Sequence, residues 1–173
     1  VANRMQIERK GYNLLWITEF PFFEYDEEAG QYVAMHHPFT APLDECIPYL
    51  DSAPEKVFAK AYDLVLNGIE LASGSIRITD PELQGRMFRA LGLSDGAAHE
   101  KFGFLTGAFR YGAPPHGGMG IGLDRLVMQM LGAPTLRDVV AFPKVQNMTE
   151  LMTECPAEVD DSQLRDLGIA VLP

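Results

Sequence analysis

An α+β fold built around an antiparallel sheet is the architecture that the sequence predicts, and three observations carry it. Apolar stretches rich in β-branched and aromatic residues come in pairs joined by turn residues, so hairpins rather than β-α-β units dominate. Two later stretches open with helix caps followed by helix-forming residues. At 173 residues and 47% hydrophobic, the chain is long enough to bury a core of its own as one domain.

The elements follow in chain order. Residues 2–9 fit the end of a helix that begins upstream. "LLWITEFPFFEY" (14–25) reads as a strand, "DEEAG" (26–30) as a turn and "QYVAMHHPF" (31–39) as the returning strand. Residues 40–55 hold Pro42, Pro48 and Pro54 and read as loop. "AYDLVLNGIELASGSIRI" (61–78) is the strongest local signal, because Asn67-Gly68 sits between two apolar runs as a two-residue hairpin turn. That turn sets Leu66 opposite Ile69 and Val65 opposite Glu70. Asp63 then shares a sheet face with Glu70, their Cβ atoms roughly 7–8 Å apart on the diagonal. "DPELQGRMFRALGL" (80–93) has Asp80 as N-cap, Pro81 in the first turn and Gly92 at the end. "SDGAAHEKFGFLTGAFRYG" (94–112) is a second helix capped by Ser94, weakened by Gly103 and Gly107 and stopped before Pro114-Pro115. "HGGMGIGLDRLVMQML" (116–131) reads as strand then helix. Thr135 or Asp138 starts a short turn, and residues 162–168 form a short terminal helix.

Composition excludes several classes of function. A formal charge of −10 and a pI near 4.8 argue against a compact nucleic-acid binder that works through a basic face. No apolar run approaches the length of a membrane span. Cys46 and Cys155 have no metal-binding or redox spacing and read as free thiols of a reducing, cytoplasmic compartment.

Six residues stand out chemically. Asp63 and Glu70 are the only acids on an otherwise apolar hairpin. Two carboxylates that close fit either a solvated outer face or a site for Mg²⁺, which favours one or two carboxylates plus substrate phosphates. Arg77 lies between two isoleucines, so its guanidinium needs an anionic partner, either an internal acid or a bound carboxylate. A bulge at Gly74 would turn Arg77 onto the face of Glu70. His36 and His37 follow a predicted strand, where neighbours face opposite ways, so they do not share one metal, and one of them can face a polar pocket. Arg125 follows a glycine-rich strand at a helix start, where it fits either a phosphate or a pairing with Asp124. The glycines themselves match no common phosphate loop. In Gly-x-Gly-x-x-Gly the third glycine would fall on Leu123 or Arg125, and no Lys-Ser or Lys-Thr follows. They keep the strand slim, so that a flat ligand can lie against it.

"GMGIGLDRLVM" (118–128) resembles the third signature motif of class II aminoacyl-tRNA synthetases. With "WITEFPFFEYDEEAGQYVAMHHPFTAP" (16–42), "AYDLVLNGIEL", "GSIRI", "KFGFLTGAFRYGAPPHGG" (101–118) and "RDVVAFPK" (137–144), the chain looks like the C-terminal half of the catalytic domain of a bacterial aspartyl-tRNA synthetase. The likeness runs without a break in order from about residue 12 to the end. It implies an antiparallel active-site sheet flanked by helices, with residues 1–11 leaving an upstream inserted domain and 12–173 completing the catalytic domain. It implies aspartate binding by His36 and Arg77, with His36 on a mobile loop. It implies Mg²⁺ on Asp63 and Glu70, and ATP contacts from Glu70, Gly122, Leu123, Asp124 and Arg125. Arg125 and Glu70 become the catalytic pair, Arg125 on the triphosphate.

The implied reaction joins L-aspartate to ATP and passes the aspartyl group to tRNA, in a cytoplasmic homodimer with no membrane partner. Two departures from the family pattern bear on this reading. Ala72-Ser73-Gly74 replaces the usual glycine run and would narrow the pocket floor, and nothing resembles the first two motifs or the anticodon-binding barrel. The chain is therefore expected to be inactive in isolation. The competing readings are a non-catalytic synthetase-like binding module and a related ligase for asparagine or lysine.

Overall fold

Two consecutive phenylalanines decide how the first sheet begins. Phe22 and Phe23 are both buried, at 0% and 5% exposure, and successive residues of one regular strand cannot both face the same core. The backbone turns there instead. Pro21, which has no N–H to give a ladder, ends β1 (Leu14–Pro21), and β2 (Phe23–Asp26) starts a separate sheet with β3 (Gln31–Ala34). The single strand predicted over 14–25 is thus two, and only its second part forms the predicted hairpin with 31–34. The returning strand stops at Ala34, and residues 35–39 are bends and turns.

The computed structural model describes residues 4–5, 11–28 and 30–171. The helix end predicted over 2–9 therefore lies outside the described residues, except for Arg4 and Met5. Two units make up the chain, residues 1–122 and 123–173.

In the first unit β1 pairs with β4 (Phe58–Leu66), β4 with β5 (Ile69–Ile76), and β5 with β6 (Gly117–Ile121), all antiparallel. The turn between β4 and β5 is the predicted one. Asn67 and Gly68 both take positive φ, 52° and 84°, which an Asn-Gly pair tolerates. Leu66 faces Ile69 and Val65 faces Glu70. The next pair is Leu64 with Ala72, so Leu71 is an extra residue. After the β4–β5 hairpin, helices α1 (Pro81–Ala90) and α2 (Asp95–Phe109) pack on each other and have the predicted caps. The Asp80 carboxylate accepts the Glu82 N–H, and the Ser94 hydroxyl accepts the Ala97 N–H. The proline-rich stretch predicted as loop contains two 3-10 turns, Asp44–Tyr49 and Pro54–Lys56.

The core gathers Phe22, Leu50, Val57, Ala59, Ile78 and Met87, each no more than 2% exposed. Each of the larger side chains among them contributes about 1.5–3 kcal/mol by leaving water. Beside it, Phe39, Phe88 and Phe102 form a second cluster with ring centroids 5.1 to 5.8 Å apart. Phe39 carries the segment after the histidines into that cluster.

The second unit contains α3 (Leu123–Leu131), a 3-10 turn at Leu136–Val139 and α4 (Asp161–Asp166). Thr135 and Asp138 cap the 3-10 turn reciprocally, so both predicted starting residues take part. Residues 144–155 wrap around the buried carboxylate of Glu150, which accepts from the N–H of Met152 and from the N–H and hydroxyl of Thr153. Those bonds hold its pKa below the ordinary carboxylate value, the Thr153 hydroxyl contributing most. Cys46 is buried, Cys155 is exposed, and both are free thiols.

Candidate functional site

The extra residue at Leu71 determines what shares a face. Residues seven apart on a regular strand point to opposite sides of the sheet, so Glu70 and Arg77 would be separated. With Leu71 inserted, Glu70 lies across from Val65 and Ser73 across from Asp63. Val65 and Asp63 share one side of β4, so Glu70, Ser73, Ser75 and Arg77 come onto that side too. The bulge predicted at Gly74 exists three residues earlier and has the predicted consequence.

This face forms the floor of a cleft of about 510 Å³, walled by His36, His37, Thr40, Arg77 and His116. From β6 it receives Gly118 and Gly120, which pair with Ser75 and Ser73. A Cβ placed on either glycine would meet nothing within 4 Å. Two other glycines of the same sheet behave differently. A Cβ at Gly74 would clash with the Gly118 carbonyl oxygen of β6 and lie 2.8 Å from Cε2 of Tyr62, and one at Gly117 would lie 2.8 Å from the Ser75 carbonyl oxygen. Tyr62 crosses above Gly74, and its hydroxyl donates to the Gly118 carbonyl at 3.1 Å. Gly74 and Gly117 are therefore required by packing. Gly118 and Gly120 are not, and they leave room inside the cleft.

Ala72 and Ser73 replace two small positions of the wall, and only one of them matters to it. Ala72 is 2% exposed and pairs with Leu64 on the far side of the sheet. Ser73 alone adds a side chain to the cleft.

Arg77 is half-buried and is fixed at both ends. Its N–H donates to the His116 carbonyl at 3.0 Å, and its Nη1 donates to Nδ1 of His37 at 2.8 Å. Among the described residues it has no carboxylate partner, which removes the internal ion pair that the sequence left open. The described lining of the cleft carries this guanidinium, three histidines and no acid.

Both histidines line the cleft, so the argument that they face opposite ways does not hold. It assumed a strand, and the strand has already ended at Ala34. Pro38 was the signal available in sequence, since the ring of a proline removes a ladder donor and marks the end of regular pairing. The segment is held just beyond the histidines. The buried Gln84 amide of α1 donates to the Pro38 carbonyl at 3.0 Å, and the hydroxyls of Thr40 and Ser75 lie 3.2 Å apart. Burial lowers the pKa of both rings. For His36 the Asp63 carboxylate opposes that shift, and for His37 the Arg77 charge adds to it. Nε2 of His36 is buried without a partner. His116 was not singled out from the sequence, Ser73 entered only as a departure in the pocket floor and His37 only beside His36; the close approach to Arg77 is what distinguishes His37.

Asp63 is half-buried and Glu70 exposed; they share the cleft's face of the sheet without lining the cleft itself. Among the described residues no group of three or more His, Cys, Asp or Glu side chains could hold a metal. A cation on Asp63 and Glu70 would thus complete its shell with water and phosphate oxygens, which suits Mg²⁺. Gly122 follows β6, its N–H donating to the Leu71 carbonyl at 2.9 Å. Leu123, Asp124 and Arg125 form the first turn of α3 in the second unit.

Comparison with known proteins agrees with this architecture. The family model for class II tRNA synthetases (D, K and N) matches residues 1–146. The chain is 57% identical over 165 residues to an aspartate–tRNA(Asp/Asn) ligase of Caldanaerobacter subterraneus subsp. tengcongensis, and 55% identical over 166 residues to an aspartate–tRNA ligase of Clostridium beijerinckii. These matches cover 95% and 96% of this chain but 28% of each relative, so the chain spans under a third of their length. Among solved structures, the aspartyl-tRNA synthetase of Entamoeba histolytica matches with a TM-score of 0.58 at 27% identity, over 79% of this chain and 23% of that one.

Proposed function

Because the chain belongs to the class II tRNA synthetases of the D, K and N group, we propose that it is the C-terminal part of the catalytic domain of an aspartate–tRNA ligase. Residues 12–173 make up that part, and residues 1–11 lead out of an upstream inserted domain. The reaction activates L-aspartate with ATP, forming aspartyl-adenylate and pyrophosphate, and then transfers the aspartyl group to the tRNA 3′ end.

The observation that carries this reading is the charge of Arg77, which has no carboxylate partner among the described residues, in a cleft whose described lining has three histidines and no acid. A half-buried guanidinium without a carboxylate can take one from the ligand, and its fork donates to the aspartate side chain in two-point contact. Asparagine would bring an amide and leave that charge unpaired, so discrimination follows from the same residue. A lysine substrate would need an acid in the pocket, and the described lining has none. The closeness of aspartate ligases among the relatives favours a working enzyme over a non-catalytic module.

The other roles rest on the resemblance and on where each residue lies. His36, which lines the cleft, contacts the amino acid. Gly118 and Gly120 leave a flat floor for the nucleotide. Gly122, Leu123, Asp124 and Arg125 contact ATP, with Arg125 on the triphosphate. Asp63 and Glu70 are the residues that would hold Mg²⁺, and Glu70 also takes part at the ATP site. The ion supplies charge neutralisation of the phosphates as pyrophosphate leaves. The protein's own contribution is to orient the aspartate carboxylate toward the α-phosphate and to hold cationic groups in place before the reaction.

The whole ligase is a cytoplasmic homodimer in this reading, in keeping with the free thiols of Cys46 and Cys155. No helix among the described residues is long and apolar enough to cross a membrane. This segment alone does not aminoacylate.

Calorimetry with a non-hydrolysable aspartyl-adenylate analogue tests the assignment in the full-length protein that carries this segment. Arg77→Leu is expected to weaken binding by at least about a hundredfold, or about 2.7 kcal/mol. Equal affinity of the two proteins would sink it.

A further inference from the structure

Resting on the reading of Arg77 as the residue that takes the substrate carboxylate, we propose that His37 is a positioning residue: its neutral imidazole holds the Arg77 fork ready through Nδ1 without spending the arginine's charge.

Arg77 is a long side chain in a cleft whose described lining has no acid. Arginine carries several rotatable bonds, and an unanchored guanidinium would have to be ordered at the moment of binding. A carboxylate neighbour would order it, but at the cost of the free charge that the substrate needs. A neutral acceptor avoids that conflict. The structure places one there: Nδ1 of His37 lies 2.8 Å from Nη1 of Arg77.

The tautomer follows from the same contacts. Nδ1 also lies 3.2 Å from the N–H of Phe39, which donates to it. A nitrogen that accepts from two donors carries no proton, so the ring's hydrogen is on Nε2. The Arg77 guanidinium, which faces the ring from the end of β5, favours the same neutral state; His116 lines the same cleft from the segment before β6, and His36 adjoins it in sequence. Among the described residues no carboxylate lines the cleft that would draw a proton onto it.

The ring itself is held in place. It packs against Phe39 with centroids 4.8 Å apart, and Phe39 is locked between Phe88 and Phe102. The Pro38 carbonyl is tied to Gln84, and the Thr40 N–H donates to the His37 carbonyl at 2.9 Å. The anchoring of Arg77 therefore runs through His37 into the aromatic cluster and α1.

Three substitutions separate this role from simple packing, measured by aspartate-dependent pyrophosphate exchange in the full-length protein. His37→Phe keeps a ring and loses the acceptor; KM for aspartate is expected to rise about tenfold, or about 1.4 kcal/mol. The KM for ATP should stay put, and kcat should fall by less than KM rises. His37→Asn sets an amide oxygen near the place of Nδ1 and is expected to restore most of the affinity. His37→Asp also offers an acceptor, but it brings a charge that competes with the substrate, so its KM should be the highest of the three. An asparagine variant as weak as the phenylalanine one, or an aspartate variant as tight as wild type, would overturn the proposal.

Nitrogen-15 NMR of the wild-type imidazole gives a check that requires no substitution. An Nε2–H tautomer is expected for His37, and an Nδ1–H tautomer would also overturn the proposal. Arg77→Leu, run alongside, keeps the two readings apart. If it binds aspartate normally, the aspartate reading fails and takes this one with it. If it loses binding while His37→Phe does not, only the positioning role fails.

Discussion

At Gly118 and Gly74 the same residue type serves opposite ends, and an added methyl group distinguishes them. Neither Gly118 nor Gly120 has a positive φ, and a Cβ on either meets nothing within 4 Å. Alanine there is expected to stabilise the fold by about 0.4–1 kcal/mol, because it narrows the unfolded ensemble without straining the native chain. The same methyl groups protrude into the cleft floor, so nucleotide affinity should fall while the melting temperature rises. Gly74→Ala is expected to do the reverse to the fold, costing about 1–3 kcal/mol as the added methyl is driven against the Gly118 carbonyl of β6 and the Tyr62 ring. Thermal melts of Gly74→Ala, Gly118→Ala and Gly120→Ala, with ATP titrations of the folded variants, check both signs. A Gly118→Ala variant that loses stability would contradict the open floor. The sequence identified the glycine-rich strand as slim, but which glycines serve packing and which serve a ligand depends on Tyr62, which reaches over β5 from β4. That crossing has no signature in the residue order.

Among the elements, the β4–β5 hairpin was the most legible, since Asn67-Gly68 fixes its turn and the first two pairs follow by counting. The helices were legible for a similar reason: their caps are local chemistry, read from Asp80, Ser94 and Thr135. The bulge was not placed correctly, because nothing about Leu71 differs from its neighbours until β6 and the core compete for it. The histidine segment was misread because a strand pattern extends through Met35 and His36, while the buried pair Phe22–Phe23 and the pull of Phe39 toward Phe88 break it.

This segment depends on α1 through one bond. Gln84→Leu would leave the Pro38 carbonyl without its donor, a loss of about 1–3 kcal/mol. It would also remove Oε1 of Gln84, which is buried without a partner, and so regain a cost of the same order. The two nearly cancel in global stability. What should change is local: amide exchange at Phe39 and Thr40 is expected to speed up several-fold with little shift in melting temperature. An unchanged exchange rate at both amides would show that the aromatic cluster alone holds the segment.

For the molecule as a whole, His36, His37 and Glu150 make stability depend on acid in one direction. His36 and His37 have pKa values lowered below the ordinary 6.5, chiefly by burial. The unfolded chain therefore takes up their protons first, and stability rises with pH wherever it holds more protons than the native state. Their contribution is fully present above about pH 6.5 and is lost as pH falls through the lowered native values. Glu150 acts in the same sense further down: its native pKa lies below the ordinary 4.5, so its contribution is present above that value and disappears beneath it. The net charge of −10 works the other way, since the first protons taken up relieve self-repulsion. Charge relief spreads over many exposed acids and is screened by salt, whereas the histidine effect sits in one cleft. Melting temperature measured from pH 7.5 to 5 at 0.5 M salt should therefore fall with acid, and His36→Gln with His37→Asn should flatten that limb while leaving the decline below pH 4.5 in place. A double variant that melts with the same pH slope as wild type between 6.5 and 5 would mean that the histidines ionise as freely in the folded chain as in the unfolded one.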